Sequence, residues 1–308
     1  MEAIDRPLTA PAPILVMVHV HYPEIWAEIA ARLAERVDVP FHLLVTTSNP
    51  DTVLDRPGGR FLRDMNVLPV ENRGRDILPF LRALAIASEF DIGLKLHTKK
   101  SPQRIDGGAW RTQLYDMLLP PSGGVSALVE AMRAEHRVGL VAPDGFSLSV
   151  RPWIFVNAAP MAAVMKALGY QLVDADLDDA FFAAGSMFWF RREALTALAD
   201  PALPPLFEPE EGQLDGTIAH GLERLFAVEV RRQGFISTSV TALAACTPRQ
   251  TSAELLATAR AHADVPNIYF PAPGISAGAP AALPPTQPLF RRNLNRLRSF
   301  LQMKLNRQ

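Results

Sequence analysis

Residues 70–101, VENRGRDILPFLRALAIASEFDIGLKLHTKKS, constrain the fold more than any other stretch. The apolar run 65–70 reads as the end of a buried strand. It breaks at Asn72-Arg73-Gly74, a turn-prone tripeptide that carries charge. Asp76 stands where a helix N-cap belongs, and Ile77, Phe80, Leu81 and Leu84 share one face of a helix over about 77–87. A second apolar run, 92–96, reads as a strand that delivers His97-Thr98-Lys99-Lys100-Ser101 at its end. Strand, charged turn, helix, strand, charged turn is a βαβ unit, whose handedness puts both turns on one edge of a parallel sheet. Ligands of open α/β sheets bind at that edge. Asn72, Arg73, Arg75, Asp76, His97, Lys99 and Lys100 thus converge on one crevice, and their cationic majority suits an anionic ligand such as a diphosphate. The same residues also fit a solvated strand end and a simple helix cap.

The rest of the chain repeats the pattern. Residues 14–20 (ILVMVHV) are nearly all apolar, as a strand buried on both faces requires, and end at His21-Tyr22-Pro23. Pro23 suits a first helical turn. Ile25, Trp26, Ile29, Ala30, Leu33 and Val37 then recur at helical spacing before a strand at 41–45. His19, His21 and Tyr22 therefore sit at a strand end on the ligand edge, either as structural groups or as ligand contacts. Helices are expected at 110–119, 126–133 and 161–168, and strands at 138–142, 187–190 and 235–245. In the run 181–192 most aromatics read as core, whereas Gly185-Ser186 is small enough for backbone or substrate to approach. Asp215 reads as the opening of a helix with His220 and Glu223 one turn apart. Acid and imidazole on one face make a general-base candidate, or an ordinary capped surface helix.

Charge and composition exclude several classes. The 308 residues hold 31 Lys and Arg against 32 Asp and Glu, unlike the basic domain that nucleic acid demands. The single cysteine, Cys246, excludes an internal disulfide and a multi-cysteine metal site. No apolar run approaches the roughly 20 residues of a membrane span, and the acidic, proline-bearing N-terminus is unlike a signal peptide. A cytoplasmic protein is expected. Four segments follow: a tail at 1–12, one α/β domain at 13–265, a Pro/Ala/Gly-rich linker at 266–288 and a basic amphipathic helix at 289–308. That helix carries Phe290, Leu294, Leu297, Leu301 and Leu305 as one stripe, so it reads as a membrane-surface anchor, a partner-docking helix, or a helix folded back on its own domain.

Taken together, VHVHYP, ENRGRD, LKLHTKKS followed by WR, AGSMFWFR and the late DGTxAHxxER resemble the rhamnan synthesis protein F family over about residues 14–235. The resemblance implies a nucleotide-sugar-dependent glycosyltransferase of bacterial surface polysaccharides, on a type-A-like (GT-A-like) fold. That fold is Rossmann-like, a mostly parallel sheet flanked by helices. It implies that His19, His21 and Tyr22 meet the nucleotide, and that residues 72–76, with Asn72, Arg73, Arg75 and Asp76, lie along the nucleotide-sugar. Trp110, Gly185, Ser186 and Trp189 then wall the sugar and acceptor. Asp215 takes the acceptor proton, with His220 or Glu223 as second choices. Type-A enzymes commonly hold a divalent cation with an Asp-x-Asp pair after the strand equivalent to 92–96. Here His97-Thr98-Lys99-Lys100 stands in that place, so no metal or other cofactor is expected, and Lys99, Lys100 and Arg73 or Arg111 neutralise the leaving diphosphate. Asp174-Ala175-Asp176 matches Asp-x-Asp but precedes the wrong strand.

The implied reaction moves a deoxyhexose, rhamnose foremost, from a nucleotide donor to a growing, lipid-linked glycan, at the inner face of the cytoplasmic membrane. One rival is a non-catalytic nucleotide- or glycan-binding module of an assembly complex. Another is a phosphatase or nucleotidyltransferase, against which the lack of clustered carboxylates speaks.

Overall fold

The computed structural model describes residues 12–87, 89–100, 107–247 and 249–265, the side chain of Phe155 excepted. The expected linker 266–288, the basic helix 289–308 and the tail up to residue 11 lie outside them. Nine strands are described: Ile14–Val20 (β1), Phe41–Thr47 (β2), Leu62–Pro69 (β3), Ile92–His97 (β4), Val138–Ala142 (β5), Ser147–Ser149 (β6), Phe181–Ala183 (β7), Phe188–Arg191 (β8) and Ile236–Ser239 (β9). The helices are Trp26–Arg36 (α1), Ile77–Ile86 (α2), Gly107–Leu118 (α3), Gly124–Ala134 (α4), Ala158–Ala167 (α5), Arg192–Leu195 (α6), Ile218–Arg232 (α7), Val240–Ala244 (α8) and Ser252–His262 (α9).

Seven strands form one sheet in the order β3-β2-β1-β4-β8-β5-β9, and β6 pairs with β7 separately. The seven-stranded sheet is parallel except at β8, which runs against both β4 and β5. This is the expected α/β, Rossmann-like arrangement. The chain steps outward from β1 to β2 and β3, then crosses back to place β4 on the other side of β1. Ligand crevices open at such reversals, outside the carboxyl ends of the two strands.

Burial follows the strand positions. β1 and β4 are buried at every residue, as central strands covered on both faces must be. β8 shows how the faces divide, because successive side chains point to opposite sides. Phe188 and Phe190 meet Phe80 of α2 in edge-to-face contacts, and Phe188 also packs on Phe226 of α7. Between them Trp189 points the other way, and its indole N–H donates to the Leu118 carbonyl of α3 at 2.8 Å. One face is thus covered by α2 and α7, the other by α3.

Four local expectations are corrected. β3 is an edge strand with several exposed positions rather than a buried one, since β2 is its one sheet partner. The strand expected over 235–245 ends at Ser239, whose hydroxyl accepts the Ala242 N–H and starts α8. The late helix is opened by Thr217 rather than Asp215, through the Thr217 hydroxyl and the His220 N–H. Asp76 does precede α2, but its carboxylate makes no cap hydrogen bond because Lys95 takes it.

Gly93 of β4 lies directly across from Phe190 of β8, and a Cβ there would stand 2.4 Å from the Phe190 ring. The missing side chain lets the ring lie flat over the strand. Gly93→Ala is expected to lower unfolding stability by about 1–3 kcal/mol in urea titrations. Gly108→Ala in α3 has no atom within 4 Å of its added carbon and is expected to be neutral or stabilising.

Candidate functional site

The site is built around a buried charge. Lys95 is the one charged residue in β4, its side chain 2% exposed. Its ammonium has three donors and uses all of them: on the Asp76 carboxylate at 2.5 Å, the Ser186 carbonyl at 2.6 Å and the Ser186 hydroxyl at 2.9 Å. One side chain therefore ties the turn before α2 to the turn before β8. Both turns carry consecutive left-handed residues, Gly74-Arg75 and Gly185-Ser186. For Arg75 and Ser186 that conformation is unfavourable and needs such outside support. Arg75 has it from Glu210, which accepts its backbone N–H at 3.0 Å. Burial alone would raise the Asp76 carboxyl, but the charge of His97 when its ring is protonated and the Lys95 ammonium outweigh that and hold it well below the usual range. Burial draws the Lys95 ammonium down, opposed by Asp76.

Above this floor opens a cleft of about 260 Å³. Its walls are Arg75, Asp76 and Ile77 from the first turn, His97 and Lys99 from the end of β4, Trp110 from α3, Gly185 and Ser186, and Leu214, Ala219, His220 and Glu223 around the start of α7. Three of these offer protons. Lys99 holds its ammonium 4.0 Å from the centre of the Trp110 ring. Arg75 adds a guanidinium. His220 has the Thr217 hydroxyl 2.7 Å from Nδ1 and the Thr217 N–H directed at the same nitrogen, which places the ring proton on Nε2. Burial lowers its pKa, so the ring is neutral near pH 7.

Two groups offer lone pairs. Glu223 is oriented by the Gly185 N–H at 2.9 Å and the Arg224 guanidinium at 2.7 Å. His97 is driven down to about 3 by burial, which outweighs the nearby Asp76. It is therefore neutral, with Nδ1 shut into the interior 3.5 Å from Asp76.

The cleft thus brings together Asp76, His97, Lys99, Trp110, Gly185, Ser186, His220 and Glu223 of the expected residues. The others lie elsewhere, each for a stated reason. Asp215 is exposed outside the lining, and its carboxylate accepts from Asn157 at 2.9 Å and from the Gly216 N–H. Lys100 turns away onto Glu24 and the Tyr22 ring. Arg111 pairs with Glu28 and donates to the Lys99 carbonyl, so it fixes the strand end from behind. Arg73 donates to the Phe207 carbonyl, and Asn72 is exposed beside it. His21 pairs with Ser48, and the Tyr22 ring meets it edge-on. His19 is buried against Thr46 and held near 4 by desolvation. Trp189 is core. Asp174 and Asp176 face Arg151 and Arg232. Among the described residues no group of three or more His, Cys, Asp or Glu is arranged to hold a metal ion.

Sequence reasoning missed Lys95 and Leu214, gave Thr98 no role, and placed Arg75 only within the cationic turn, where the structure puts it in the lining. Thr98 joins the ends of β4 and β1, its hydroxyl accepting the N–H groups of His21 and Tyr22. A lysine inside an otherwise apolar strand was the available signal for Lys95, since such a charge persists only when paired.

Lys95→Met strands Asp76 and is expected to cost about 3–5 kcal/mol in urea unfolding, with Lys95→Met/Asp76→Leu recovering most of it. Because His19 and His97 stay neutral when folded, the unfolded chain binds more protons as pH falls below the ordinary histidine value. Stability is therefore expected to drop from about pH 6.5 towards 4, before carboxylates protonate. His19→Gln should flatten part of that slope, and a level profile for the parent chain would contradict it.

Residues 1–234 match the family model described as rhamnan synthesis protein F. A protein named WxcX and described as uncharacterized, from Xanthomonas campestris pv. campestris, is 37% identical over 233 residues, covering 73% of this chain and 32% of the relative. Its counterpart in a second strain is 36% identical over the same shares. The match spans about a third of the length of these relatives. Among the described residues no helix is long and apolar enough to cross a membrane. The chain belongs to the rhamnan synthesis protein F family.

Proposed function

We propose that the chain is a glycosyltransferase that moves a deoxyhexose, rhamnose foremost, from a nucleotide-sugar to a growing, lipid-linked polysaccharide. The carrying observation is that one cleft, at the carboxyl end of β4, sets proton donors for an anion beside acceptors for hydroxyl groups. Lys99, Arg75 and the His220 Nε2–H suit a diphosphate. Glu223 and His97 suit a sugar or an acceptor alcohol. A nucleotide-sugar meeting an acceptor carries both chemistries.

In this reading Glu223, which lines the cleft, takes the proton of the acceptor hydroxyl in place of Asp215, which lies outside the lining. The acceptor oxygen bonds to the anomeric carbon as the bond to the diphosphate breaks. The electron pair leaves with the diphosphate, and Lys99 and Arg75 stabilise the charge that develops there. A cation after β4, Lys99, in place of an acidic pair supports transfer without a divalent metal. A site for the enzyme on the inner membrane face, held by residues 289–308, is part of the same proposal.

Nucleoside diphosphate release from a panel of nucleotide-sugars, with a lipid-linked glycan acceptor, tests the reading. Glu223→Gln is expected to reduce turnover by about 100-fold or more while donor affinity stays within about threefold. Turnover should survive a chelator. Turnover abolished by chelator and restored by manganese would overturn the metal-free part. A second reading, a binding module, draws on the short span of the match to its relatives. It predicts nucleotide-sugar affinity with no diphosphate release from the parent chain.

A further inference from the structure

The residue pattern of the two turns groups His97 with the cations that suit a diphosphate, and its surroundings in the fold argue for a different task. The ring is buried at the end of β4 and lines the cleft directly above the Lys95–Asp76 pair. Nδ1 is closed off from solvent, makes no hydrogen bond, and stands 3.5 Å from an Asp76 oxygen. Of the two neutral tautomers, the one with its proton on Nδ1 points that proton at an anion, and the other points a lone pair at it. The first is favoured electrostatically. The Tyr115 hydroxyl, donating to the His97 carbonyl at 2.7 Å, secures the backbone at this position. With Nδ1 turned inward, the nitrogen left to meet a ligand is Nε2, and it carries a lone pair.

We propose that His97 reads a hydroxyl group of the transferred sugar, accepting its hydrogen bond at Nε2, with Asp76 fixing the tautomer from behind. This rests on the glycosyl-transfer reading and names the group that recognises the sugar within it. An ionised phosphate oxygen has no proton to give Nε2, so the same geometry places the diphosphate away from His97, on the side of Arg75 and Lys99. Burial, with Lys95 and Lys99 nearby, keeps the ring from protonating and turning into a donor at neutral pH. The acceptor role therefore holds across the physiological range.

Isothermal titration of the full chain with uridine, guanosine and thymidine diphosphate sugars, each beside its plain nucleoside diphosphate, tests this. Sugars in which one hydroxyl is replaced by hydrogen or by fluorine complete the series. Fluorine cannot donate, so at the position His97 reads both replacements should weaken binding about tenfold, and the plain diphosphate should be unaffected by His97→Phe. His97→Gln, whose amide oxygen can accept, should keep most of the sugar-dependent affinity, and it stands in if His97→Phe fails to fold by thermal melting. In His97→Phe, or failing that in His97→Ala, the hydroxyl replacements should no longer matter. Three results would overturn the proposal: a fluorosugar that binds as the parent does at every position, equal loss of sugar and plain diphosphate in the variants, or an unchanged penalty in them. Failure of every nucleotide-sugar to bind the parent chain would instead remove the glycosyl-transfer reading on which the proposal stands.

Discussion

The contact on which the site depends is the ion pair between Lys95 and Asp76, buried where β4 passes beneath the cleft. A lone ammonium in an apolar strand is unfavourable by several kcal/mol. It is tolerated here because each of its three donors has an acceptor. Those acceptors lie on separate segments, Asp76 before α2 and Ser186 before β8. Satisfying one charge therefore sets the spacing of the two turns that wall the cleft, and holds Asp76 close to His97. The strained backbone at Ser186 is sustained by the same network, and that at Arg75 by Glu210. Removing the lysine would thus disturb more than one hydrogen bond.

The cleft is divided by hydrogen-bond polarity. In the proposed reading Lys99, Arg75 and the His220 Nε2–H meet the ligand as donors, and His97 and Glu223 meet it as acceptors. Neutrality of the histidines is central, since protonation would convert His97 from acceptor to donor and erase the distinction. Burial enforces it; Thr217 fixes which His220 nitrogen carries the proton, and in the proposed reading Asp76 does the same for His97. For a family of polysaccharide synthesis, that division suits the proposed transfer of a sugar from a diphosphate.

Much of the framework was legible because strand burial and helix periodicity are written directly in residue order. The βαβ unit at 65–97 and the convergence of its turns follow from apolar runs and the handedness of the crossover. Side-chain direction was not legible. Lys99 and Lys100 are adjacent and chemically alike, yet one faces Trp110 in the cleft and the other pairs with Glu24 outside it. Asp76 looked like a cap because its position is that of a cap, and the lysine that claims it lies nineteen residues further on, in another element. Asp215 and Glu223 were both visible as acids near one helix. The choice between them turns on Asn157, far away in sequence, and on where Thr217 starts the helix. The run 235–245 was misread because β-branched and small residues suit a strand until Ser239 caps a helix.

The most direct measurement is a crystal structure of the chain with a nucleoside diphosphate-sugar bound. The account predicts the diphosphate against Lys99 and Arg75, with a sugar hydroxyl within hydrogen-bond distance of the His97 Nε2 and the anomeric carbon open towards Glu223. A ligand seated outside the cleft, or one whose phosphates contact His97 while its sugar lies on Lys99, would contradict it.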